Sequence, residues 1–222
     1  MAHQGRILGI GPTDNTSDQR TPRQGLRLIP EAARDSFVPV VPARYGTTPH
    51  EWDMTRTASD RPRADGVPIE VTGRVRTASG RPVAGALLEV WSANHYGRYR
   101  HVEDHSGLQL DENHLGVGRV LTDDEGNYRF WAISPGAYLA RPDIGRWRPK
   151  HIHMSVSGGS SRLITQMYFP DEPNNAADPM AILMGDAFER NIGKARDAAE
   201  TDVEEAYDFD IVVGGHNATF FE

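Results

Sequence analysis

The chain has 222 residues, enough for one domain with a sizeable core and no need of disulfides or a structural metal to hold it. Cysteine is absent, which excludes a disulfide framework, thiolate metal ligands and a cysteine nucleophile together. A formal net charge of −7 leaves no basic footprint for nucleic acid, and neither a leader-like apolar stretch nor a membrane-spanning run is visible, so a soluble, cytoplasmic protein is expected.

From Met1 to about Gly66 the sequence is rich in Pro, Arg, Asp and Thr, with only Leu26 to Ile29 and Phe37 to Val41 suited to packing. This predicts an extended N-terminal arm over residues 1–66. From Val67 the texture changes: VPIEVTGRVRT alternates, ASGRP is a turn, VAGALLEVWSA is apolar, and VGRVLTD and NYRFWAI follow around DDEG. SPGAY, HIHMSVS and RLITQMYF come next, then the loop DEPNNAADP. A short helix is expected within Met180 to about Ala206, and YDFDIVV closes as a final strand. Short strands punctuated by Gly, Pro and Asp imply a mainly β fold. The expected architecture is an antiparallel β-sandwich over residues 67–222, one domain carrying the arm and a short helix before the last strand.

One stretch departs from this rhythm. SANHYGRYRHVEDHSGLQLDENHLG, residues 92–116, separates the strand ending near Trp91 from the strand starting near Val117. Long loops inside compact domains are usually functional or disordered. This one carries Tyr96, Tyr99, His95, His101, His105 and His114, which marks it as active-site material.

RWRPKHIHM, residues 146–154, places His151 and His153 two apart in a strand-like stretch, so both imidazoles point to one face and can converge on a metal ion. Two histidines on a solvated sheet face are the plainer reading. The next residues, MSVSGGSSR, offer no carboxylate, so neither a cupin-like set nor a two-histidine, one-carboxylate ferrous site is supported locally. Tyr138, which closes SPGAY, and Tyr99 in the long loop can supply the negative charge instead. A trivalent ion can displace a phenol's proton much as zinc acidifies water, and two phenolates with two neutral imidazoles suit Fe(III). One added hydroxide makes such a set neutral, which matters in a poorly solvated cavity.

GRYRH, LTDDEGNYRF, SPGAY, RWRPKHIHM, RLITQMYF and YDFDIVV together resemble the intradiol ring-cleavage dioxygenases, most of all the iron-bearing β subunits of protocatechuate 3,4-dioxygenases. Even RTPRQGLRLIPEA in the arm resembles that subunit type. The resemblance implies a non-haem Fe(III) held by Tyr99, Tyr138, His151 and His153, with Tyr138 and His153 axial. It makes Arg148 the active-site arginine, Gln166 a substrate-side glutamine and Tyr138 a group that takes one substrate proton. The implied reaction opens a catechol between its hydroxyl-bearing carbons with O2 to give a cis,cis-muconate. Partners are then an aromatic diol and O2, with the chain assembling either as a homo-oligomer or with an α-type subunit.

Two positions depart from the family pattern. Leu139 and Ala140 follow Tyr138 where those β subunits carry Pro-Trp, and loss of the indole widens the pocket. Asp14 falls where a carboxylate-binding tyrosine would align, which favours a hydroxyl or amino group over a carboxylate on the ring. Asp14, Ala140 and Gln166 are therefore the expected substrate contacts, with Tyr45 as a further pocket candidate, and the substrate is protocatechuate or another 4-substituted catechol. The competing readings are a non-catalytic transthyretin-like β-sandwich binding module, whose strand rhythm is similar, and a zinc hydrolase using the histidines with Glu103 or Asp104.

Overall fold

The computed structural model describes residues 51–102, 104–158, 161–214 and 218–219. Asp14, Tyr45 and Glu103 lie outside these residues, as does most of the stretch read as an arm. Eleven strands run in chain order: β1 (Pro68–Thr77), β2 (Leu87–Trp91), β3 (Val117–Leu121), β4 (Asn127–Ile133), β5 (Tyr138–Arg141), β6 (Arg146–Arg148), β7 (His151–Gly158), β8 (Ser161–Tyr168), β9 (Lys194–Arg196), β10 (Glu205–Asp208) and β11 (Ile211–Val213). The short α-helix α1 (Pro179–Met184) stands between β8 and β9.

Two sheets form the sandwich. In one, β1 pairs antiparallel with β4 along one edge and in parallel with β10 and then β11 along the other, with β9 beyond β10. The other runs β3-β2-β7-β8, antiparallel throughout. Alternation along β1 sends Ile69, Val71 and Val75 inward, where they meet Leu88 and Val90 from β2 and Ile152, Met154 and Val156 from β7. Residues N-terminal to β1 join this core: Met54 is buried, Trp52 packs edge-to-face on Trp131 at 5.0 Å, and Met54 N–H donates to Trp131 O.

The helix signal after Met180 resolves into something shorter than its composition suggests. Asp178 caps α1 by accepting from the Met180 N–H at 2.7 Å, Pro179 occupies the first turn, and Gly185 ends the helix with φ of 54°. A 3-10 segment over Gly185–Asn191 and the strand β9 follow. The expected last strand is broken in two at Phe209, whose N–H turns to Thr72 O and whose carbonyl accepts the buried Tyr128 hydroxyl. Among the described residues no helix is long and apolar enough to cross a membrane.

Candidate active site

The site is assembled from three pieces of chain at one end of the β3-β2-β7-β8 sheet. The first is β7, whose register sets His151 opposite Tyr168 and His153 between Gln166 on β8 and Trp91 on β2. Trp91 and His153 stack with ring centroids 5.0 Å apart and planes 2° from parallel. His151 is 2 % exposed and His153 8 %, so both imidazoles sit in a dry environment. The second piece is the hairpin β5–β6, which pairs Tyr138 with Arg148 directly across the ladder. Its register shifts between Leu139 and Arg141, a local irregularity of the kind that re-aims side chains near active sites.

The third piece is the long loop, and two glycines explain how it reaches the hairpin. Gly97 has φ of 83°, and a Cβ there would lie 2.1 Å from Ala137 O; one on Gly136 would lie 2.4 Å from His95 O. Only hydrogen at both positions lets the two backbones touch. Buried Asn94 stitches the contact: its carbonyl accepts from Gly97 N–H and Gly136 N–H, each at 2.9 Å, and its Oδ1 accepts from Tyr96 N–H and Arg98 N–H. Tyr99 and Tyr138 are thereby brought together, with ring centroids 5.2 Å apart and nearly perpendicular.

The remaining rings close the cluster. Tyr138 lies 5.6 Å from His151, Tyr99 lies 6.2 Å from His153, and the two histidines are 4.7 Å apart, all between centroids. His151 Nδ1 is 2.7 Å from Pro149 O, which fixes it as the N–H and leaves Nε2 as the bare nitrogen. That Nε2 stands 3.1 Å from His153 Nε2. Burial, reinforced by the charges of Arg148 and His153, holds His151 well below the usual imidazole range, so it is neutral at pH 7. These are the features of two nitrogens aimed at one shared ion. With metal–nitrogen bonds of about 2.1 Å, their spacing subtends roughly a right angle at such an ion. The Tyr99 hydroxyl is also buried.

Among the described residues no three His, Cys, Asp or Glu side chains are grouped to hold a metal, so the phenols are needed to complete a set. Asp104, the carboxylate of the zinc alternative, is committed elsewhere: its oxygens accept from Tyr99 N–H at 2.8 Å and Ser106 N–H at 2.9 Å. It orients the loop beneath Tyr99. A phenol-rich, nitrogen-containing set suits a hard trivalent ion better than zinc.

A cavity of 460 Å3 opens in front of the cluster, lined by Trp91, Tyr99, Tyr138 and His153 on its floor and by loop residues His101, Asp104, His105 and Ser106. Leu139 and Ala140 complete its wall. Other candidates from the loop go elsewhere. Tyr96 donates to Asp65 Oδ2, His95 packs on Tyr96, and His114 is buried near Ser92 O.

Arg148 and Gln166 stand behind the rings rather than on the cavity wall. Arg148 Nη2 donates to Gln166 Oε1 at 2.7 Å and to the Tyr168 hydroxyl at 2.8 Å, and that hydroxyl donates to the same Gln166 oxygen. Burial works against the guanidinium charge, but Tyr138, Tyr168 and Asp178 outweigh it and raise its pKa, so Arg148 is a permanent cation. Gln166 Nε2 is buried with no hydrogen-bond partner among the described residues. Tyr168, Asp178, Trp91 and Asn94 were not singled out from sequence. Tyr168 was within reach, being two residues from Gln166 on the same strand face; Asp178 announces only a helix cap, in Asp-Pro before an apolar run.

Comparison with known proteins agrees with this architecture. A family model described as a dioxygenase matches residues 40–215. The chain is 42% identical to a protocatechuate 3,4-dioxygenase beta chain from Burkholderia cepacia, over 96% of this chain and 92% of that one. It is 35% identical to a catechol 1,2-dioxygenase from Candida albicans over 64% of this chain, spanning half of that protein's length. In fold it matches the 3-chlorocatechol 1,2-dioxygenase of Rhodococcus opacus 1CP with a TM-score of 0.59, at 20% identity, over 85% of this chain and 69% of that one. These matches set aside the reading as a binding module. A sandwich alone would not decide the matter, but the matched sequence runs through both tyrosines, both histidines and Arg148, and the chain belongs to the intradiol ring-cleavage dioxygenases.

Proposed function

We propose that the chain is a non-haem Fe(III) enzyme that opens a 4-substituted catechol between its hydroxyl-bearing carbons to a cis,cis-muconate. The observation that carries this is the convergence of Tyr99, Tyr138 and His153 on one cavity, with His151 packed against Tyr138 and His153 and with Arg148 paired across the ladder from Tyr138. Those four side chains would hold the ion. Bound there, ferric iron would take both catechol oxygens and draw electron density from the ring, opening it to dioxygen.

The chain's own residues supply the rest. As ligands the two imidazoles would bring no charge of their own, so the two phenolates would carry the protein's share of negative charge. Tyr138, as phenolate, accepts one catechol proton at Oη. Arg148 faces the negative charge that builds up as oxygen adds to the ring, and does so in a dry site where a fixed cation acts strongly. Trp91 and the loop exclude water from one side of the cavity, whose 460 Å3 is within the size range that holds a small aromatic ligand.

On substrate, the small Ala140 on the wall leaves room for a ring substituent. Protocatechuate is the substrate named for the beta-chain relative. Catechols with a 4-hydroxyl or 4-amino group are the stated rivals, expected to match or beat it. On assembly, the relative's description as a beta chain supports work alongside an α-type chain. Val102, Ile144 and Trp147, at 84%, 55% and 51% exposure on the loop and hairpin that carry the two tyrosines, give such a partner an apolar seat.

Oxygen uptake by iron-loaded protein against a panel of substituted catechols, with products identified by mass, tests the reading. Ring-opened products carrying both oxygen atoms and a tyrosinate charge-transfer band in the visible are expected. A colourless iron-loaded protein, or cleavage beside rather than between the hydroxyl-bearing carbons, overturns it.

A further inference from the structure

Arg148 can act on the reaction only if its long, flexible side chain is held in one place, because a free arginine side chain samples many rotamers. The residue that holds it comes from a different part of the fold. Asp178 is fully buried at 0% exposure, and its Oδ2 accepts from Arg148 Nε at 3.0 Å while its Oδ1 lies 3.4 Å from Arg148 Nη2. The same Oδ1 accepts from Met180 N–H at 2.7 Å, so the carboxylate is fixed by α1 before it meets the guanidinium. With Gln166 and Tyr168 also on Nη2, both Nε and Nη2 of the guanidinium are held by buried side chains.

We propose that Asp178 is a positioning residue for ring cleavage: its buried carboxylate, anchored at the N-terminus of α1, fixes the Arg148 guanidinium in one place behind the ring cluster. Asp178 also supplies the counter-charge that makes a largely buried arginine tolerable. The assignment rests on the role given to Arg148 under Proposed function. It adds that the helix after β8, on the far side of DEPNNAADP from the metal strand, is part of the catalytic apparatus.

Asp178→Asn is the informative substitution, because asparagine caps a helix as well as aspartate and keeps the volume, yet removes the charge and turns an acceptor into a donor. In iron-loaded protein, Asp178→Asn should keep iron content and the tyrosinate band, hold KM within about threefold and lower kcat by about tenfold or more. The double variant with Arg148→Ala should be no slower than Arg148→Ala alone by more than about threefold, since both changes remove one device. Full kcat in Asp178→Asn beside an impaired Arg148→Ala overturns the positioning role and leaves the reading of Arg148 intact; so does a double variant whose loss is the product of the two single losses. Full kcat in Arg148→Ala overturns the reading itself, and this assignment with it.

If Asp178→Asn does not fold, thermal unfolding of the double variant decides. Removing both charges should restore folding, because the penalty then comes from an unpaired buried arginine. A double variant that also fails to fold places the effect in the helix cap and overturns the assignment.

Discussion

Two buried carboxylates, Glu70 and Asp178, make the same kind of contact at different places and to different ends. Glu70 is 3% exposed on the outer face of the first sheet, where Arg129, Arg196 and the Trp131 Nε1–H converge on it. Arg129 reaches on to Glu200 and Arg196 to Asp208, and both guanidiniums touch solvent. Both Glu70 carboxylate oxygens are spent inside this cluster, Oε2 on Arg129 and Trp131 and Oε1 on Arg196. Asp178 meets an arginine whose side chain is only 11% exposed, in a network that leaves the buried Gln166 Nε2 with nothing to bond among the described residues. An ion pair whose capacity is used up braces a sheet, whereas one with a donor left over beside a cluster of metal-competent rings is prepared for a ligand.

The contrast can be broken most sharply at the rings. Tyr99→Phe or His153→Ala should abolish both the visible band and turnover, measured by absorbance and oxygen uptake on iron-loaded protein; full colour in both variants would detach the rings from the metal. Next in size, Arg148→Ala should keep iron and lose kcat by at least about a hundredfold, read from steady-state kinetics alongside metal analysis. Glu70→Gln should do the reverse: unfolding free energy falls by about 1–3 kcal/mol in denaturant titration, because a buried multidentate pair is broken but its arginines can reach water, while kcat stays within about twofold.

The smallest effect concerns pH. Burial, opposed more weakly by the Ser92 carbonyl and the Asp111 charge, holds His114 below the usual imidazole range, so the unfolded chain takes up its proton first on acidification. That contribution is intact above pH of about 6.5 and is lost below it at up to about 1.4 kcal/mol per pH unit. His114→Leu should flatten the slope of stability between about pH 6.5 and 5 without moving the visible band.

The sandwich was legible because its strands alternate cleanly: Ile69, Val71 and Val75, or Ile152, Met154 and Val156, declare their face in the primary structure. The ring cluster was legible for a related reason. His151 and His153 share a strand face by spacing alone, and the two tyrosines sit at marked places, one closing SPGAY and one in an overlong loop. Tertiary pairings were not legible. Nothing in DEPNNAADPM says that Asp178 turns back to Arg148, and nothing in ANHYG or PGA says that Asn94 bridges them. The short helix was legible too, in the Ala- and Met-rich run after Asp178-Pro179, but its end at Gly185 and the strand β9 that follows were not, since the pairing of β9 with β10 is a tertiary contact. Half of the loop's aromatic and imidazole groups were similarly better explained by packing than by the cavity, since spacing cannot tell a ligand from a wedge.

The bare glycine contact between the long loop and the turn before Tyr138 gives the two phenols a common foundation that the outer part of the loop does not share. His101 and His105 on the cavity wall can exchange their side chains, altering which ring substituents the cavity admits, while the bolt at Asn94, Gly97 and Gly136 and the Asp104 bond to Tyr99 N–H keep the two phenol-bearing segments in register. Selectivity can therefore drift across generations of this scaffold without disturbing the ring cluster, and laboratory evolution aimed at new catechols has a natural place to begin.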